Sequence, residues 1–189
     1  MRLTLTLTSL AALSLTACGT AEEPAETGMM AENTMQDGTA TDAAAETPTD
    51  AASYVSMAGA SDMFEIQSSE LALEKSQNEG VREFAQMMID HHRKTTEQVT
   101  AAAREAGMTP AEPQLTSMQR DMMTQLQSAS GADFDRTYIE QQRQAHQKAL
   151  ALHRTFAEQG DTPQLQEVAR TAVPIIEQHI TEAQDLSAT

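Results

Sequence analysis

At 189 residues the chain is sized for one domain, and its composition (3 % aromatic, no Trp, rich in Ala, Met, Gln, Glu and Leu) favours packed helices. Sandwiches and barrels need more β-branched and aromatic residues than this chain offers. A formal charge of −16 repels phosphate backbones and so excludes a nucleic-acid partner, and a single cysteine, Cys18, excludes an internal disulfide.

Chain order begins with an address. Met1-Arg2 is a short positive start, and Leu3 to Leu15 is an apolar run of signal-peptide length, too short to span a bilayer as a helix. It ends in Leu15-Thr16-Ala17-Cys18, which resembles the bacterial lipobox. That resemblance implies that residues 1–17 are a lipoprotein signal peptide and that Cys18 is lipidated, with acyl chains such as palmitate making the anchor stable. Gly19 follows where lipoproteins kept at the inner membrane carry Asp, which implies the periplasmic face of the outer membrane. The membrane is then met through lipid alone. Residues 18–60 read as a disordered acidic tether: positions 19–60 hold eight Asp and Glu, no Lys or Arg, and no apolar period. Met29, Met30 and Met35 within it offer thioethers suited to Cu(I).

From residue 61 the pattern turns helical. Ser61-Asp62 with Glu65 reads as a capping-box start for a first helix reaching about Asn78, and Gly80 breaks it. A second helix runs from about Val81 to Ala106 and stops at Gly107, with Pro110 and Pro113 beyond. A shorter third helix covers about Gln114 to Ala129. Asp133 opens a fourth that lasts to Gln159, and Thr162-Pro163 starts a fifth that reaches about Leu186 with Pro174 inside it. Short links predict two antiparallel hairpins, and the third helix is long enough to cross over between them. The fold class expected for residues 61–189 is all-α, a ferritin-like four-helix bundle with a shorter crossover helix.

Helical phase then decides what faces inward. Glu65 sits on the edge of the first stripe. His92 lies near the centre of the second and His91 on its flank; Asp90 points out. On the fourth helix Tyr138, Gln142, Ala149 and Phe156 share a face with Asp135, His146 and His153, and on the fifth His179 lies among Leu165, Ala172, Ile176 and Ala183. At 1.5 Å per residue, Glu65, His91, His146 and His179 fall roughly 20, 16, 20 and 12 Å from the shared end, with His153 roughly 10 Å lower.

Two readings of that convergence stand side by side. Three imidazoles and a carboxylate suit one Zn, Cu or Fe ion, with Glu65, His91, His146 and His179 as ligands, His92 and His153 in reserve, and Asp135 or Gln142 as outer acceptors. Alternatively the same groups hydrogen-bond one another and fix helix register with no ion at all. No Glu-x-x-His occurs at any of the five histidines, so di-iron chemistry is not expected, nor is any enzyme activity: nucleophile motifs, phosphate loops and paired carboxylates are all missing.

The segments SDMFEIQSSELALEKS, VREFAQMMIDHHRKTTEQV and FDRTYIEQQRQAHQKAL, followed by Pro174 and His179, resemble the bacterial envelope proteins of domain-of-unknown-function family 4142. The resemblance covers about Tyr54 to Leu186 and implies an exported, ferritin-like protein. It places the family's Asp-His pair on Asp90-His91, its Ala-His-Gln on Ala145-His146-Gln147, its late histidine on His179 and its first-helix acid on Glu65. The family has Thr or Ser where this chain has His92. Met-Met-Ile-Asp-His-His is also similar to a Met-x-x-His-His pattern in a second periplasmic family linked to copper. The function expected is a lipid-anchored, non-catalytic envelope or stress-related module with one transition-metal site; the alternative is periplasmic storage or detoxification of Cu, Zn or Fe. The sequence names no protein partner.

Overall fold

Asp50 Oδ1 accepts the backbone N–H of Ser53 at 2.9 Å, and with that cap the first helix begins well before the expected start. The computed structural model describes residues 47–187; Cys18, the apolar leader, and Met29, Met30 and Met35 lie outside them. Five helices follow: α1 Ala51–Lys75, α2 Glu79–Glu105, α3 Ser117–Ser128, α4 Gly131–Gln159 and α5 Pro163–Ser187. Among the described residues there is no strand, and no helix is long and apolar enough to cross a membrane. Residues 51–60, expected in the tether, are helix, and Asp62 and Glu65 are not a cap: both are buried inside α1. The residues that open α1 include Ala, Ser and Gly, whose weak apolar period hid them.

Elsewhere the punctuation works as the sequence suggests. Asn78 caps α2, accepting from Val81 N–H at 3.3 Å. At its far end Gly107, at φ 80, lets its own N–H reach Arg104 O and that of Met108 reach Ala103 O, both at 2.9 Å, which closes the helix in a Schellman motif. Gly160 ends α4, and a Cβ there would stand 2.6 Å from the Phe156 carbonyl oxygen, so no other residue fits unchanged. Pro174 lies inside α5, which runs on through it.

Contacts between side chains give the topology. Tyr54 meets His153 and Ser69 meets Tyr138, so α1 and α4 run antiparallel. His92 meets Asp62 across the α1/α2 hairpin, and His91 meets His179 across antiparallel α2 and α5. The hairpins α1/α2 and α4/α5 therefore pack side by side, with α2 and α4 parallel. The crossover α3 lies across α1 and α4: Lys75 Nζ donates to Gln127 O at 2.7 Å, and Gln119 Nε2 donates to Ala60 O at 3.1 Å.

The core divides along the bundle. At one end Tyr54, Val99, Leu152, Phe156 and Leu165 pack together; at the other Val81, Phe84, Met88, Phe134 and Tyr138 do. Each fully buried aliphatic or aromatic side chain contributes about 1.5–3 kcal/mol, so these two ends hold the helices together. Between them lies a buried polar layer that contains Asp62, Glu65, Ser68, His92, Gln142, His146 and His179.

Candidate metal centre

Every member of that layer needs a partner, because an unpaired buried polar group costs on the order of 1–3 kcal/mol. Most have one. Asp62 of α1 accepts His92 Nδ1–H at 2.8 Å on one carboxylate oxygen and Thr96 Oγ1–H at 2.9 Å on the other. His146 Nδ1–H donates to the carbonyl of Gln142 one turn earlier, at 2.7 Å. Gln142 Nε2 donates to Ser68 Oγ, which donates in turn to Glu65 O.

These bonds fix the tautomers. A carbonyl can only accept, so His146 carries its proton on Nδ1 and its Nε2 presents a lone pair. His179 Nδ1 lies 3.2 Å from that nitrogen, and His91 Nδ1 lies 2.8 Å from His179 Nε2. On His92, Nδ1 is committed to Asp62, and the buried Nε2 has no hydrogen-bond partner among the described residues. One nitrogen from each of His92, His146 and His179 lies within 4.8 Å of one nitrogen of the other two. Two imidazole nitrogens held by one ion at about 2.0–2.1 Å stand about 3.3 Å apart in tetrahedral geometry. The His146–His179 pair is already at that spacing. The orphaned Nε2 of His92 is the atom an ion would satisfy.

Electrostatics keep the lone pairs available. Burial pushes His146 down to about 3 and His179 to about 2, helped by neighbouring imidazoles, so both stay neutral at ordinary pH. Burial also lowers His92, but the hydrogen bond and charge of Asp62 outweigh it, with Glu65 adding to the pull once ionised, and its pKa is raised. Glu65 is pushed up to about 8 by burial, against the opposing pull of His92 and Gln142. It is therefore largely protonated at neutral pH, and its O–H gains a donor role in a layer where Gln142 Oε1 is a buried acceptor without a partner.

The expected ligands fall as follows. His146 and His179 belong to the cluster. His91 does not: it is half-buried and touches the cluster through His179, on which its ring stacks at 5.1 Å. Glu65 is buried beside His146, its Oε1 3.8 Å from the Nδ1 that faces away from the cluster. His92 takes the third place. His153 forms a separate buried pair with the Tyr54 hydroxyl at 3.1 Å. Asp135, expected nearby as an outer acceptor, lies about 16 Å up α4 from His146, where it lines a separate surface pocket. The acceptor that orients His92 is Asp62, a residue whose spacing to Glu65 imitates a helix cap.

Fold and layer together define an all-helical bundle with a buried histidine cluster. The chain belongs to the family described as domain of unknown function DUF4142, which matches residues 36–186. Among solved structures it is similar to "CopM in the Cu(II)-bound form", with TM-score 0.61 and 16% identity over 72% of this chain and 94% of that one. The Ag-bound form of CopM gives TM-score 0.60, also at 16% identity, covering 72% and 93%. A DUF305 fragment from Deinococcus radiodurans gives TM-score 0.59 and 22% identity, covering 72% and 96%. No curated protein matches by sequence.

Proposed function

We propose that this protein is a lipid-anchored, ferritin-like periplasmic bundle that holds one transition-metal ion between His92, His146 and His179 without catalysing a reaction on it. The observation that carries the reading is the buried, partnerless Nε2 of His92 beside two imidazoles whose neutral state burial enforces. An all-imidazole set suits Cu(II) and Zn(II), and copper comes first in the affinity order of the divalent ions. The copper and silver named in the titles of the CopM structures make those ions natural probes; at 16% identity that likeness supports the fold and not the ligands. Two hairpins joined by a crossover helix, with α2 parallel to α4, support the ferritin-like description. The lipobox-like segment at Cys18 supports the anchor and the envelope location.

A rival reading has its own observation. The run His91–His179–His146–Gln142 is a complete chain of hydrogen bonds with no ion in it, as a purely structural layer requires. Equilibrium dialysis separates the two. The full chain, purified in detergent without a histidine tag, is dialysed against Cu(II), Zn(II) and Fe(II) in turn. The proposal requires one tightly held ion per chain, held far more weakly in His92→Ala, His146→Ala and His179→Ala. Absence of a stoichiometric ion, with the fold intact, establishes the structural layer instead.

A further inference from the structure

A small cavity of about 20 Å³ adjoins the histidine cluster, walled by Ser61, Asp62, His92, His153, Ala172 and His179. Two of the three imidazoles assigned to the ion, His92 and His179, form part of its wall, so the space opens directly beside the ion's position. One water needs about 10–15 Å³ and two to four polar partners, and this cavity supplies both. That volume seats one water or the coordinating atom of a small anion.

His153 has no part in holding the ion, yet its ring is buried in the same wall. Its Nδ1 lies 3.1 Å from the Tyr54 hydroxyl, the one hydrogen-bond partner that phenol has among the described residues. Were Nδ1 the donor, the buried phenol proton would have no acceptor. Tyr54 O–H therefore donates to Nδ1, and His153 carries its own proton on Nε2, the other nitrogen of a ring that lines the cavity.

Resting on the ion-binding reading above, we infer that this cavity seats a fourth, exogenous ligand on the ion, a water exchangeable for a small anion, with His153 Nε2–H as its hydrogen-bond donor. Three protein ligands and one open position distinguish an exchanging site from a closed structural one. The Asp62 carboxylate in the wall disfavours a free anion, so an anion enters only with the ion in place, displacing the water as it binds.

Azide tests this on the full chain loaded with Cu(II). The expected result is a saturable azide-to-copper charge-transfer band at one azide per ion, absent from the metal-free protein. Ala172→Ile fills the cavity and Ala172→Val fills it less. Both should keep one Cu(II) per chain and an unchanged helical circular dichroism spectrum while binding azide about tenfold or more weakly. His153→Phe should weaken azide with the copper retained. One copper per chain with no azide band, or azide affinity unchanged in both Ala172 variants and in His153→Phe, overturns the inference and leaves the ion-binding proposal standing. No bound copper overturns both.

Discussion

Acidification is the perturbation that the polar layer should feel most. His146, His153 and His179 have pKa values near 3, 4 and 2 in the fold, against 6.5 when unfolded. Below pH 6.5 the unfolded chain takes up three protons that the folded chain refuses, so each histidine withdraws stability as pH falls. Glu65 acts oppositely. Its pKa is about 8 in the fold and 4.5 unfolded, so its contribution is present at low pH and is lost as pH rises through 8. His92, also raised, is protonated in both states below 6.5 and changes little there. Net, the unfolded state binds about two more protons near pH 5.5, and at about 1.4 kcal/mol per proton per pH unit the domain loses about 2–3 kcal/mol between pH 6 and 5. Above 6.5 the sign reverses, because Glu65 and His92 hold protons that the unfolded chain releases. Stability should therefore peak near pH 6.5. Urea unfolding of the metal-free full chain, followed by circular dichroism at a series of pH values, measures this directly. With a slope of about 1–3 kcal/mol per molar urea, the midpoint should fall by about 1–2 M from pH 6 to 5. Replacing His153 by Phe removes one of the two net protons and should halve that loss. A midpoint that is flat or rises on acidification refutes the assignment of these imidazoles as buried and neutral.

Other perturbations follow from single contacts. Asp62→Ala leaves His92 Nδ1 and the Thr96 hydroxyl without their acceptor, which should cost about 3–5 kcal/mol in urea unfolding and weaken Cu(II) binding by about 10–100-fold. Gly160→Ala drives a methyl against the Phe156 carbonyl and should cost about 1–3 kcal/mol; an unchanged midpoint contradicts the close approach. Cells fed labelled palmitate should label the wild-type chain and not Cys18→Ser, and label retained in that variant removes the anchor.

Much of the fold was legible because the chain marks its helix ends with residues whose backbone chemistry is unambiguous. Gly107, Gly160 and Pro163 each stand where α2, α4 and α5 stop or start, and the helical phase of α4 and α5 put Tyr138, Gln142, His146 and His179 inside, where they are. The start of α1 was not legible, because Ser61, Asp62 and Glu65 imitate a capping box while Ala51 to Ala60 show little apolar period. That one misplacement hid two partners. Read as a cap, Asp62 did not register as the acceptor for His92, and Tyr54, placed in a tether, did not register as the partner of His153. Adjacent residues on a helix differ by 100°, and the phase did put His92 nearer the buried centre than His91. Height along the bundle and the family's Asp-His pair favoured His91 instead. A signal was available: once α1 is extended back to Ala51, Asp62 stands one helix away from His92 at matching height.

X-ray absorption at the metal edge of the Zn(II)-loaded full chain tests the centre most directly. Three imidazole nitrogens at about 2.0–2.1 Å plus one light atom are expected, with one nitrogen lost in His92→Ala at saturating Zn(II). A shell of oxygen or sulfur scatterers, or an identical nitrogen shell in His92→Ala, would contradict this coordination.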